Sequence, residues 1–331
     1  MVKRKLILIA LVLSLMLGCF SGCSEGNRGD GTDTGSTVEP WYDQDGVLPD
    51  VGTEEVAMQN SVYTDKNGDI AIIPKQFRVS EKEDEQTIST GLVVIGPDGS
   101  EFVWIPTTKT SLAVRDFGSY VSWGSSFKDY YDETELENYK AMIASTQKYG
   151  GFYMGRYEAS FGGGSNLSDY VPASKRGAEP WVRFDPADTD AVCQNLYADN
   201  ESVQGFFPWG INYDTTLQWL IDSGCKTRKE VASDSTSWGN YSNDSFSPNA
   251  GGNATGVWEE AKANNIYDLA GNNWEWTQER YGSGSYVMRG GGYNLMGGAC
   301  KGSDYPAALR DPLPGSDRHP NVTFRIALYL K

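Results

Sequence analysis

From Ser233 to Lys331 the chain turns to Gly, Asn, Ser and Trp, with no long stretch that keeps the period of either a helix or a strand. Helix and sheet ladders cannot hold a segment of this length by themselves, so turns and side chains must supply the partners for its backbone polar groups. This predicts a loop-rich, aromatic-packed fold and argues against a helical bundle. The 38 Gly and 12% aromatic content fit that expectation. A length of 331 residues with 39% hydrophobic residues allows one large domain or two small ones around a sizeable core.

The charge and the rarest residue narrow the chemistry. Lys and Arg total 28 against 44 Asp and Glu, a formal net charge of -16. Nucleic acid is therefore excluded as a partner, since an acidic surface repels phosphates instead of releasing their counterions. His319 is the one histidine. Metal centres built on two or three imidazoles are excluded, and any catalysis would rest on Cys, carboxylates or Tyr.

The N-terminus reads MVKRKLILIALVLSLMLGCFSGC, with cations, an apolar run from Leu6 to Leu17 and then small residues with Cys. The run is short for a membrane span and has the layout of a signal peptide. It resembles the bacterial lipoprotein signal, in which a small residue precedes the acylated Cys. Cys23, in Ser21-Gly22-Cys23, is the better acceptor, and Cys19 is the alternative. This predicts a signal peptide over 1–22, removed ahead of Cys23, and a protein anchored by lipid to a bacterial cell surface or the outer face of a membrane. Residues 23–60 are acidic and rich in Gly, Ser and Thr, which predicts an extended tether. Within it, Arg28-Gly29-Asp30 is taken as a chance match.

Residues 61–150 are expected to be β-rich. Ile70–Pro74 and Phe77–Val79 look like short strands, and Gly91–Ile95, Gly96-Pro97-Asp98-Gly99 and Glu101–Ile105 form a hairpin signal. Asp65-Lys66-Asn67-Gly68-Asp69 lacks the closing Glu of a calcium loop and is expected to be a plain turn. Helices are predicted across 129–149, 188–197 and 214–222, and a strand from Gly151 to Ala159. The folded part keeps Cys193, Cys225 and Cys300, with Cys193 and Cys225 the expected disulfide in an oxidising exterior.

The most specific stretch is Asn264-Asn265-Ile266-Tyr267-Asp268-Leu269-Ala270-Gly271-Asn272-Asn273-Trp274-Glu275-Trp276-Thr277, followed by Arg289-Gly290-Gly291-Gly292-Tyr293 and closed by Thr323-Phe324-Arg325. Asp268 and Glu275 bracket a Gly-Asn turn, which offers hard oxygen ligands of the kind calcium takes. Trp274 and Trp276 flank Glu275 and are expected to pack as core on the other side. The stretch resembles the sulfatase-modifying-factor family, which includes the formylglycine-generating enzyme, over residues 151–331. Gln218-Trp219 fits the family's middle helix, although Asp214-Thr215-Thr216 stands where the family has Leu-Pro-Thr. The resemblance implies an α+β, loop-rich, C-type-lectin-like fold, here preceded by a short β-hairpin region. It also implies structural calcium, held by the side chains of Asp268 and Glu275 and the carbonyls of Gly271 and Asn273, with Asn240 serving a second site.

The family's oxidase binds copper with two cysteines after the Arg-Gly-Gly motif. Here the matching positions are Leu295 and Cys300, and one thiol with an alkyl chain cannot hold a soft metal as two thiolates do. No catalytic residue is assigned. The alternative is a formylglycine-generating oxidase or altered enzyme around Cys300, and copper belongs only to that alternative. Residues 292–322 form an irregular mix between strongly patterned motifs, similar to exported lectin-fold lipoproteins whose surface residues are varied by retroelements. The expected role is binding of an extracellular protein, glycan or phage ligand. Tyr293, Asn294, Tyr305, Asp311, Arg318, His319 and Asn321 are the candidate contacts, because exposed aromatic and Arg side chains give contact area at low entropic cost.

Overall fold

The computed structural model describes residues 60–108, 111–118, 130–241, 253–295 and 298–331. The signal, most of the tether, and Cys19 and Cys23 lie outside the described residues. Among the described residues no helix is long and apolar enough to cross a membrane.

The chain enters through a hairpin of β1 (Ser61–Thr64) and β2 (Ile70–Ile73). Its turn is closed by Asp65, whose Oδ1 accepts from the amides of Asn67 at 2.8 Å and Asp69 at 3.0 Å. Because Oδ2 accepts from the Ile88 amide at 2.9 Å, the carboxylate is a turn cap. Next come β3 (Arg78–Val79), β4 (Val93–Ile95) and β5 (Glu101–Pro106). The hairpin signal at Gly96–Gly99 is indeed the β4–β5 turn.

Helix α1 (Glu133–Tyr149) starts at a capping box, in which Asp132 accepts from the Glu135 amide and Glu135 accepts from the Asp132 amide. It is followed by β6 (Gly151–Gly155), the hairpin β7 (Ser160–Gly163) and β8 (Val171–Ala173), α2 (Pro186–Asn195), β9 (Val203–Phe206), α3 (Gly210–Asp222) and α4 (Arg228–Ala232). The remainder holds β10 (Lys262–Ala263), β11 (Ile266–Tyr267), β12 (Trp274–Tyr281), β13 (Ser285–Arg289), β14 (Asn294–Leu295), β15 (Gly298–Ala299), β16 (Asp311–Pro314), β17 (Val322–Phe324) and β18 (Ala327–Leu330).

The central sheet has the order β3-β4-β5-β6-β18-β9, so strands from the N-terminal part pair beside the last strand of the chain. Alternation along its strands divides the interior in two. Val103, Ile105, Phe152 and Met154 face a core with Met142 and Ile143 of α1 and Leu217 and Leu220 of α3. Phe102, Trp104 and Tyr153 face the opposite core with Trp274, Trp276, Phe324 and Leu328.

The second sheet, β16-β13-β12-β17, carries the family-like motifs. β12 pairs parallel with β17 through Trp274↔Val322, Glu275↔Thr323 and Trp276↔Phe324, which brings the Trp-Glu-Trp and Phe-Arg motifs side by side.

The C-terminal third is loop-rich as expected, its strands short except β12, which runs for 8 residues; the apolar, charged and amide side chains of β12 are nearly all buried, which removes the alternation that marks a strand in sequence. One expectation needs correcting: Cys193 and Cys225 do not form a disulfide, as both are free thiols. Cys193 belongs to one core and Cys225 packs against the other, so the central sheet lies between them.

Candidate functional site

The motif from Asn264 to Asn273 is a run of tight turns, and its residue types follow from backbone conformation. Asn264, Asn265, Asp268 and Asn272 have φ of 42°, 64°, 57° and 56°, the left-handed region that Asn and Asp tolerate best after Gly. Gly271 has φ of 81°, and a Cβ there would meet the Asn240 carbonyl oxygen at 2.3 Å. Asn240 bridges to Gly271 and accepts the Asn272 amide on its carbonyl at 2.7 Å, so Asn240 and Gly271 do meet.

Asp268 and Glu275 both turn inward and are fully buried. The Oδ2 of Asp268 accepts from the Gly256 amide at 2.8 Å and the Thr255 hydroxyl at 3.1 Å, and its Oδ1 accepts from Asn240 Nδ2 at 3.3 Å. Glu275 takes the Arg325 guanidinium, with Nε 3.1 Å from each carboxylate oxygen. Arg325 also donates to the carbonyls of Gly155 at 3.0 Å and Tyr267 at 2.9 Å, tying β17's exit to β6 and β11. Trp274 and Trp276 point away from Glu275 into core, as expected.

A third carboxyl, Glu158, joins them. Its Oε1 accepts from the Asn273 amide at 2.9 Å, and Oε2 accepts from Asn272 Nδ2. Sequence reading placed Glu158 only as a polar member of a strand, and the available signal was a carboxylate within an otherwise buried run. Burial, followed by the charges of Asp268 and Glu275, pushes the Glu158 carboxyl well above the ordinary range, with Arg325 opposing. Asp268 and Glu275 are raised as well, chiefly by burial.

Glu158, Asp268 and Glu275 thus face a single guanidinium. An oxygen-seeking divalent cation fits this imbalance, as does the buried Asn273 side chain, whose Nδ2 and Oδ1 have no partner. Among the described residues no three acidic, Cys or His groups converge as a ready-made metal cluster. A calcium ion here would accordingly draw on carbonyl and amide oxygens as well as carboxylates.

The Arg-Gly-Gly motif is anchored by a second buried network that the sequence did not announce. Arg289 Nη2 lies 2.6 Å from Asp214 Oδ1, and its Nη1 is 3.3 Å from Glu279 Oε2. Arg310 closes the ring, with Nε 2.8 Å from Glu279 Oε1 and Nη2 on Asp214 Oδ2. All four side chains are fully buried, and their charges balance. Asp214, the residue that departs from the family's Leu-Pro-Thr, is therefore the counter-ion that holds Arg289. Gly291, at φ 69°, lets the backbone pass within reach of the Tyr305 carbonyl, where a Cβ would come to 2.3 Å.

Cys300 is buried, its amide donating to the Tyr293 carbonyl at 3.4 Å. Burial and then Asp304 push its thiol up to about 11. The β14–β15 pairing sets Leu295 opposite Gly298, one residue short of Asn294↔Ala299.

The candidate ligand contacts separate. Arg318 is exposed and its Nη2 pairs with Asp185 at 2.9 Å and with Asp188, at the start of α2. His319 is half-buried, its Nδ1 accepting from the Asn321 amide at 3.2 Å. Asp311 and Tyr305 are half-buried, Tyr305 lying edge-on to Trp274 with centroids 5.7 Å apart. Tyr293 and Asn321 are buried and meet each other at 3.4 Å, so neither is the exposed contact expected. The Asn294 side chain lies outside the described residues.

Missed by the sequence reading is an aromatic cluster beside this loop, in which exposed Phe161 packs edge-on against Tyr170 at 5.6 Å and Trp181 at 5.2 Å. The Arg183 amide donates to the His319 carbonyl, and Thr323 Oγ1 to that of Trp181, so the cluster adjoins the Arg318–His319 segment.

Residues 210–330 match the family described as "Sulfatase-modifying factor enzyme 1-like domain". Among solved structures the chain is similar to CarF, at 15% identity over 55% of this chain and 87% of that one, TM-score 0.37. It is similar to PvdO from Pseudomonas aeruginosa, at 14% identity over 70% and 95%, TM-score 0.40. It is also similar to Treponema denticola variable protein 1, at 11% identity over 81% and 98%, TM-score 0.28. No curated protein matches. Residues 210–330 are thus similar to a sulfatase-modifying factor enzyme 1-like domain, within a chain of mixed α+β fold.

Proposed function

We propose that this protein is a lipid-anchored surface binder, tethered through Cys23, which uses a formylglycine-generating-enzyme-type scaffold to present C-terminal loops to an extracellular protein, glycan or phage ligand. One observation carries the reading. From Asp311 to Pro320 every residue is exposed or half-buried, whereas Arg310 and Asn321 on either side are buried. Asp311–Pro314 pair with β13 as strand β16, and the segment beyond them, Gly315–Pro320, is held at both ends, so its side chains can change with little disturbance to the fold and are presented in one conformation. Arg318, His319 and the neighbouring Phe161 cluster supply the charged and aromatic contacts. Calcium held by Asp268 and Glu275 with the carbonyls of Gly271 and Asn273 stiffens the turns beneath. Residues 292–322 are proposed to be diversified by a retroelement.

Buried Cys300, with its thiol raised and Leu295 at the companion position, supports binding over copper oxidation. The test pairs two variants. The full chain is screened on an array of glycans and envelope proteins, and Arg318→Glu and Phe161→Ala are to abolish whatever specific binding it shows. Binding that survives both changes would remove the loop from the site. At the DNA level, a near-copy of the Arg289–Phe324 coding region beside a reverse transcriptase, differing at adenines, is expected; its absence would remove the diversification claim.

A further inference from the structure

Away from the C-terminal loops, a cavity of about 110 Å³ opens between α1, α2, β9 and the second sheet, and no residue of the 293–321 segment lines it. A cavity somewhat larger than this accommodates benzene, so the volume suits a small organic molecule. Phe206 and Trp209, both buried, and the half-buried Tyr329 give it an aromatic lining. Its polar lining comes from Asn138 of α1, Asp190 and Gln194 of α2, Gln204 of β9 and Gln278 of β12.

Each of the three glutamines is oriented by an internal bond made through its own NH₂ group. Gln194 Nε2 donates to Asp190 Oδ2 at 2.6 Å, Gln204 Nε2 to the Gly205 carbonyl at 3.1 Å, and Gln278 Nε2 to the Phe207 carbonyl at 2.7 Å. The partners are a carboxylate and two carbonyls, so the nitrogen must be the atom facing them. What the amides keep for a ligand is therefore weighted toward oxygen. No Lys, Arg or His lines the cavity. The other charge felt by Asp190 is the Glu135 carboxylate, which Arg280 neutralises.

We propose that this cavity binds a small organic ammonium, an alkylamine or the amine end of a longer molecule. Asp190 supplies the counter-charge, glutamine oxygens accept the ammonium protons, and Trp209, Phe206 and Tyr329 cover the alkyl part. An anion is excluded by the carboxylate and the absence of a lining cation. A neutral ligand of the same shape would leave the partly desolvated Asp190 without a counter-charge. The Asp190 carboxyl is pushed up to about 6, mainly by burial, which is the cost a bound cation would offset.

The test is calorimetric titration of the full chain at pH 7.5 with n-butylammonium and, separately, with 1-butanol, which has the same number of heavy atoms and no charge. Saturable binding of the ammonium is expected, with 1-butanol at least about tenfold weaker, and with Asp190→Asn weakening the ammonium about tenfold. Equal affinity for the alcohol, unchanged affinity in the variant, or no saturable heat with the ammonium would each overturn the proposal. If Asp190→Asn fails to fold, the comparison of the two ligands on the unaltered protein still decides it.

Discussion

A thiol binds soft metals or attacks carbon only as its thiolate, and Cys300 is held far from that state by burial and by Asp304. With its pKa up to about 11, roughly one part in a thousand is ionised at pH 8. Cys193 is fully buried and its thiol is likewise raised, by burial and then by Asp190, whereas Cys225 is half-buried. A disulfide-exchange reagent at pH 8 should therefore label Cys225 quickly, and Cys193 and Cys300 only as the protein unfolds. Rapid native labelling of Cys300 would contradict the packing described.

Asp214 gives the complementary case of a residue whose role is entirely structural. Asp214→Asn removes the carboxylate that Arg289 and Arg310 share opposite Glu279, inside a network with no exposure to solvent. The expected loss is about 3–5 kcal/mol in urea unfolding. A loss within about 0.5 kcal/mol, the range of ordinary surface substitutions, would mean the ring of charges does not hold the motif.

At the scale of elements, the legible parts were those set by near neighbours. The β4–β5 hairpin could be read from Gly96-Pro97-Asp98-Gly99 because a turn is decided by its own residues. Likewise α1 could be read from an uninterrupted helical period and closes at Gly150. The two buried charge clusters could not be read, because their members come from distant segments: Asp214 and Arg289 are 75 positions apart, and Asn273 and Glu158 are 115 apart. The strand character of β12 was hidden for a related reason, since burial of both faces erases alternation. The disulfide expectation failed because it took neighbourhood in sequence for neighbourhood in space, while the central sheet separates the two thiols.

The link between the turn at Glu85 and β6 gives a pH prediction at this scale. Burial alone would raise the Glu85 carboxyl, but Arg156, Ser80 and Lys82 outweigh it and lower it to about 2. A depressed carboxyl contributes its stability fully above the unfolded value of 4.5 and loses it as pH falls toward about 2. Melting temperature should therefore decline across that window, and less steeply in Glu85→Gln after its own lower starting stability is allowed for. Parallel declines would show that Glu85 is not the group responsible.

For the whole molecule, an acidic chain with net charge -16 keeps part of that charge inside, where Glu158, Asp268 and Glu275 share Arg325. Calcium bound there should raise the melting temperature, contributing about 2.7 kcal/mol at a hundred times its Kd. Glu158→Gln should diminish that shift. An unchanged melting curve with and without calcium would remove the ion from the account, and leave the carboxylates as partners of the local amides and Arg325.

The same scaffold could in principle present a ligand-binding loop or run an oxidation, and Leu295 with the buried Cys300 is where the two readings part. The most direct measurement incubates the purified full chain, with copper and oxygen, with a peptide carrying a sulfatase-type cysteine motif, and follows the peptide by mass spectrometry. The cysteine peptide is expected to be recovered unchanged. Turnover to the formylglycine product, dependent on Cys300, would contradict it.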